Sequence, residues 1–196
     1  MIFFAGCIPF LKMESGRTLP RGKSSIGFSA TSYNYSNNRN TKYKWEPLFD
    51  FQVRAKRGIT DRLELGVGLN NIGFFMFDGK YQVIGDKNSD FAMSLGLGAD
   101  ALFSQSRGID KNLKVSIPVY MSIHPSEKFY FFLNPQFSRQ VALKKGHDSL
   151  NFFGASMGVG FYNRIGEINV GGDYFRFLQS RGGSIYQFGV AYKYTF

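Results

Sequence analysis

From Ser25 onward, apolar side chains fall on every second position, in runs separated by polar, turn-forming stretches. A period of two belongs to β-strands, whose successive side chains point to opposite faces. In Phe91 to Phe103, one face carries Phe91, Met93, Leu95, Leu97, Ala99 and Ala101, and the other Ala92, Ser94, Gly96, Gly98 and Asp100. Leu48 to Arg57 sets Phe49, Phe51, Val53 and Ala55 against Asp50, Gln52, Arg54 and Lys56. Arg62 to Asn71 sets Leu63, Leu65, Val67 and Leu69 against Glu64, Gly66, Gly68 and Asn70. The same pattern predicts strands over Ser25–Tyr35, Leu113–His124, Phe129–Phe137, Phe152–Tyr162, Glu167–Phe177 and Ser184–Phe196, and a short fourth strand around Lys80–Ile84. The count is about ten, with about eight as the fallback if the pair around Phe74 to Ile84 does not span.

Composition agrees with an all-β chain. The 196 residues include 22 Phe, 11 Tyr and 23 Gly but one Cys and one Trp, a profile of strand formers rather than helix formers. No apolar run is long enough for a transmembrane helix, a test that a barrel escapes because only alternate residues face lipid. The last strand puts Tyr186, Phe188, Val190, Tyr192, Tyr194 and Phe196 on one face and Gln187, Gly189, Ala191, Lys193 and Thr195 on the other. Its aromatic end, Tyr192, Tyr194 and Phe196, resembles the signature by which bacterial outer-membrane β-barrels are recognised for insertion. The stretch VRAKRGITDRLELGVGL is similar to the strand–turn–strand text of many small barrels of that kind. The resemblance implies a transmembrane, antiparallel, up-and-down β-barrel over 24–196, inserted by the barrel-assembly machinery. A lipocalin-like barrel, with its apolar face inward, is the alternative; the small, Gly-rich polar face argues against it.

Loop lengths set an orientation. The stretches SNNRNTKYKWEP, SQSRGIDKN, ALKKGHDSL and LQSRGG are longer, and GITD, DKNS, PSEK and NRIGE shorter. Such barrels carry long loops outside and short turns in the periplasm, so both termini are expected to be periplasmic. Pro118 and Gly171-Gly172 interrupt the pattern and read as bulges or bends. Tyr33, Tyr35, Tyr43 and Trp45 at one end, and Tyr192, Tyr194 and Phe196 at the other, are expected to form interfacial girdles.

Residues 1–23 read as a truncated signal or lipobox-like segment followed by a periplasmic tether. Phe4-Ala-Gly-Cys7 resembles a lipobox with Phe in place of the usual Leu, which makes Cys7 the lipidation candidate. Six residues precede Cys7 and none is basic, so a charged n-region is missing. The tether from Pro9 to Lys23 is expected to run beside the first strand.

The inward positions collect Arg54, Lys56, Lys80, Lys114 and Lys193 together with Glu64, Asp100, Glu167 and Asp173. In a narrow lumen these charges are expected to pair and plug the barrel, because an unpaired buried charge is costly. A narrow solute or ion channel is the alternative. Two arrangements bear on catalysis. His124-Pro-Ser126 has the His-x-Ser spacing of lipid A deacylases, though Ser126 falls at a turn; His147-Asp148-Ser149 lies on the loop side where omptin proteases keep their Asp and His residues. The first has no assignable third group, and in the second adjacent residues of an extended chain point apart and the barrel is far shorter than an omptin, so no catalytic residue is expected, and a lipid-modifying enzyme or omptin-like protease is the further alternative. With two His and one Cys, no metal site and no cofactor are expected.

The net charge of +10 raises the question of nucleic acid. The aromatics follow the lipid-facing period rather than a basic groove, so nucleic acid is not the expected partner. Arg39, Lys42, Lys44, Arg107, Lys111, Lys144, Lys145 and Arg181 lie in the long loops. There they are candidates for bridging lipopolysaccharide phosphates at the outer-membrane surface. The chain is therefore expected to be a structural or accessory subunit of a larger envelope complex.

Overall fold

The computed structural model describes residues 12–37, 48–102, 112–143, 149–179 and 183–196. They form ten strands: β1 (Ser24–Asn37), β2 (Leu48–Thr60), β3 (Leu63–Asn70), β4 (Phe74–Ile84), β5 (Phe91–Leu102), β6 (Asn112–Ser126), β7 (Phe129–Ala142), β8 (Leu150–Tyr162), β9 (Glu167–Phe177) and β10 (Gly183–Thr195). Each pairs antiparallel with its chain neighbours, and β1 pairs with β10 to close the barrel. At the seam, Ser24 and Phe196 exchange both backbone hydrogen bonds, each 2.9 Å. Closure leaves no strand edge, as a backbone surrounded by hydrocarbon requires.

The outer face is apolar along the middle of the strands, with Arg57, Arg139 and Arg176 exposed nearer the rims. Phe51, Leu97, Met157 and Phe188 each leave more than half of their surface exposed, with Phe28, Val67, Phe77, Ile117, Phe131 and Phe153 beside them. An apolar surface of this extent is not sustained in water, and lipid is the solvent that suits it. The inner face carries Gln52, Ser94, Ser116, Asn134, Gln136, Ser156 and Gln187, all buried. That polarity rules out the lipocalin-like arrangement. At the end that carries the long loops the inner face turns apolar, with Phe152, Phe175 and Ile185 in one cluster and Phe74 with Leu102 in another.

Several strand ends differ from the sequence pattern. β4 is a full strand beginning at Phe74, not a short one at Lys80. Four consecutive apolar residues, Phe74 to Phe77, hide the alternation, because Phe74 and Met76 point inward into the apolar rim while Phe75 and Phe77 point out. The turn before it is tight: the Asn70 side-chain oxygen accepts the Ile72 and Phe74 amides, and Gly73 takes φ 97°. Of the GITD stretch only Asp61 belongs to the turn. β2 continues through Gly58 to Thr60 with a register shift, and the chain reverses at Asp61-Arg62. Gly171-Gly172 is neither bulge nor bend, since both sit in unbroken register with β8 and β10. Their missing side chains instead leave room for the Phe132 ring inside and the Phe188 ring outside. Pro118 pairs with Gln136 of β7, but its pairing with β5 is interrupted between Leu95–Val119 and Gly98–Ser116.

Tyr33 does not join an outer girdle. Ile26, Phe28 and Ala30 face out, so the odd positions of β1 face in, and Tyr33 is buried in the lumen. At the opposite rim, Tyr194 and Phe196 are exposed with ring centroids 5.7 Å apart. Tyr43 and Trp45 lie outside the described residues.

Placing Arg at Leu97, midway along β5, should cost about 2–4 kcal/mol of folding free energy in bilayers, against about 0–1 kcal/mol for Val83→Lys near the rim. Reversible denaturant refolding into vesicles measures both.

Candidate functional site

The lumen is occupied by the chain's own N-terminal segment. Lys12 to Leu19 lies inside the barrel, not beside the first strand as a tether would. The segment is rich in polar groups and too irregular to pair as a strand, so its backbone must find side-chain partners. It finds them on six strands. The Leu19 amide donates to Glu64 Oε2 (2.8 Å) on β3 and the Thr18 amide to Gln82 Oε1 (3.0 Å) on β4. Ser94 Oγ on β5 donates to the Gly16 carbonyl (2.5 Å), and the Gly16 amide donates to Ser122 Oγ (2.8 Å) on β6. Asn134 Nδ2 on β7 donates to the carbonyls of Lys12 (2.6 Å) and Glu14 (3.0 Å), and the Lys12 amide donates to Ser156 Oγ (3.2 Å) on β8. A Cβ on Gly16 would collide with the Ala92 carbonyl, so only glycine allows this approach.

Charge fixes the segment further. Glu14 Oε2 lies 2.6 Å from Lys56 Nζ and 3.5 Å from Lys80 Nζ. Those lysines also meet Glu64 Oε1 at 3.2 and 3.0 Å, and Lys56 meets Asp78 Oδ1 at 3.4 Å. Arg54 Nη1 meets Asp78 Oδ2 at 3.0 Å. Three cations of the wall thus face three carboxylates, one of which comes from the N-terminal segment. Lys80 also sits 5.2 Å from the Tyr120 ring centre.

Two further pairs lie apart from this cluster. Lys114 Nζ meets Asp100 Oδ2 at 2.7 Å, with both side chains buried. Lys193 Nζ meets Glu167 Oε2 at 2.6 Å, and the Tyr130 hydroxyl donates to Glu167 Oε1 at 2.5 Å. Asp173 is buried on the same inner face, in the field of Lys114. Among the described residues, Lys12, Glu14, Arg17 and Asp78 are charged groups that the alternation does not assign to the lumen. The first three precede any strand, and Asp78 falls before the point where the pattern starts β4. Asp78 shares the parity of Lys80, and that spacing is the signal that could have found it.

The candidate catalytic residues take other roles. His124 Nε2 lies 2.8 Å from Ser122 Oγ, not Ser126, and the His124 ring stacks on Tyr130 at 5.0 Å. Ser126 is exposed beyond a register shift at the turn. Ser122 Oγ also accepts the Gly16 amide, so the N-terminal segment covers it. Cys7, His147, Asp148 and the eight loop cations, Arg39, Lys42, Lys44, Arg107, Lys111, Lys144, Lys145 and Arg181, lie outside the described residues. Among the described residues no cluster of metal-ligating side chains occurs.

A closed antiparallel barrel with an apolar exterior and a polar, charge-paired interior defines a transmembrane β-barrel. No family model matches this chain, and no curated protein matches its sequence. Solved structures match in fold. The outer membrane protease OmpT from Escherichia coli is 10% identical with a TM-score of 0.48, over 93% of this chain and 100% of that one. Neisserial surface protein A is 10% identical with a TM-score of 0.41, over 88% and 99% of the two chains. Ail, the attachment invasion locus protein of Yersinia pestis, is 9% identical with a TM-score of 0.35, over 89% and 99%. All three are small bacterial outer-membrane barrels, and at these identities the likeness is one of fold alone.

Removing one partner of a buried pair leaves the other charge under-compensated. Asp100→Asn should therefore cost about 3–5 kcal/mol, and the double variant Asp100→Leu with Lys114→Met much less. Denaturant titrations of the folded barrel against its heat-denatured form measure both.

Proposed function

We propose that this protein is a closed, membrane-resident barrel of the bacterial outer membrane, acting as a structural or accessory subunit of a larger envelope complex. The observation that carries the reading is the seating of Lys12–Leu19 in the lumen, with Glu14 bonded to two wall lysines. A barrel that serves as an open pore has no use for a segment held by hydrogen bonds to seven strands. In this reading the rim with the short turns, where Ser24 and Phe196 meet, faces the periplasm, and Tyr192, Tyr194 and Phe196 serve the insertion machinery. The loop cations meet lipopolysaccharide phosphates at the other rim, and Cys7 is the residue to examine for an acyl group.

Two measurements test the reading. In planar bilayers the wild-type barrel should be electrically silent, whereas Glu14→Ala and deletion of residues 12–19 should produce conductance steps. Wild-type conductance would overturn the closed reading, and silence of both variants would overturn the attribution to this segment. Native mass spectrometry of the protein extracted from outer membranes should show a stoichiometric partner; a lone barrel would contradict the accessory role.

A further inference from the structure

The lipid-facing wall is not an even surface. A groove of about 880 Å³ crosses it from β1 to β6, within the roughly 300–1,000 Å³ typical of small-molecule sites. Its mouth is at Arg57, between Ser24 of β1 and Leu65 of β3. From there Leu65 pairs with Gly79 of β4, and Gly79 with Leu97 of β5. One step along the strands, Ala55, Val67, Phe77, Ala99 and Val115 form a second paired row. Leu65, Val67, Phe77 and Leu97 stand out from the wall, and Ala55, Gly79 and Ala99 keep the floor low between them.

The rows run oblique to the membrane. Paired residues lie across the strands, and strands of such barrels tilt by about 35–45°. Arg57 stands three residues from the short-turn end of β2, and Val115 eleven from that of β6. Four strand spacings of about 4.8 Å therefore carry the groove roughly 12 Å in depth. One leaflet, half of a hydrocarbon core of about 30 Å, is little deeper. At the mouth Arg57 is exposed and makes no ion pair with a described residue. Arg21, Lys23 and Arg62 are exposed at the same rim, where the Gly58 amide donates to the Lys23 carbonyl and Asp61 accepts the Arg21 amide. Four cations there face the one carboxylate of that turn.

We propose that the groove holds one anionic glycerophospholipid, with its phosphate on Arg57 and an acyl chain laid over Gly79 and Ala99. The planar guanidinium fork matches two phosphate oxygens, a pairing that a point charge does not offer. A chain lying in the groove touches wall on three sides, so it gains dispersion contacts that a lipid against the rest of the wall lacks. The groove and its cation hold whether or not the barrel docks on a partner. The choice of a phospholipid over lipid A rests on the orientation proposed above, which sets this rim in the periplasmic leaflet.

Native mass spectrometry of the full-length barrel, released from vesicles of phosphatidylcholine, phosphatidylglycerol and lipid A, provides the test. The expected result is one phosphatidylglycerol retained per barrel. Arg57→Gln removes the charge, and Gly79→Leu fills the floor, where an added Cβ meets the movable Leu65 side chain at 3.2 Å and the Glu64 carbonyl at 4.0 Å. Each variant should keep the heat-resistant barrel and weaken retention by roughly tenfold, about 1.4 kcal/mol. Ala155→Leu, on the lipid face of β8, should leave it unchanged. Ala99→Leu gives a second filling variant should Gly79→Leu fail to fold. No retained lipid, or equal retention by the wild type and the folded variants, would overturn the site and leave the orientation untouched. Lipid A held in place of phosphatidylglycerol would overturn the occupant and count against the orientation.

Discussion

The arrangement of the lumen depends on one constraint, the balance of charge inside a wall that water scarcely reaches. Arg54, Lys56 and Lys80 crowd one side of the barrel, and among the described residues the wall carboxylates within 4 Å of them are Glu64 and Asp78. A buried cation without a partner costs several kcal/mol, so the third carboxylate has to come from elsewhere. Glu14 supplies it and holds Lys12 to Leu19 in the lumen, where Lys12, itself a buried cation, enters the field of Asp78 and Asp100. The neutral side chains that receive the segment, from Gln82 round to Ser156, then satisfy backbone groups that would otherwise be stranded. Charge places the segment, and hydrogen bonds fix its path.

The outer face answers a separate demand. Hydrocarbon accepts no backbone hydrogen bonds, so the sheet must close, and the seam between Ser24 and Phe196 completes it. Because lipid claims one side chain of every two, the lumen inherits the other, and its size is limited by strand number. Ten strands leave an interior that a single extended segment nearly fills. What remains is the space beside Gly27, where β1 offers only small residues. Occlusion is therefore one-sided, tight against β2 to β8 and loose against β10 and β1.

Much of this was legible along the chain, and the exceptions have physical causes. Period two is a strong signal wherever one face meets lipid and the other small polar groups, so β5, β9 and β10 can be read almost to the residue. It fades where both faces are apolar, and the start of β4 at Phe74 is hidden because the inner face near that rim is itself apolar. The same parity that puts Ile26, Phe28 and Ala30 in lipid sends Tyr33 inward, a consequence that overrides the habit of aromatic residues to sit at interfaces. Arg54, Lys56, Glu64 and Lys80 lie at inward positions by parity alone. Glu14 belongs to no strand, so no period marks it, and its place follows only from the three-dimensional tally of charge. The partners of His124 are likewise a matter of register: the shift before Ser126 leaves Ser122 as the hydroxyl within reach.

The central claim is that Lys12–Leu19 is an integral part of the barrel interior. Amide hydrogen exchange of the folded protein in bilayers, read residue by residue, tests it without altering the chain. The Gly16, Thr18 and Leu19 amides each donate to a side chain of the wall, at 2.8, 3.0 and 2.8 Å. They should exchange as slowly as the amides of β5 and β6. Exchange of these three as fast as that of an unprotected terminus would contradict the account.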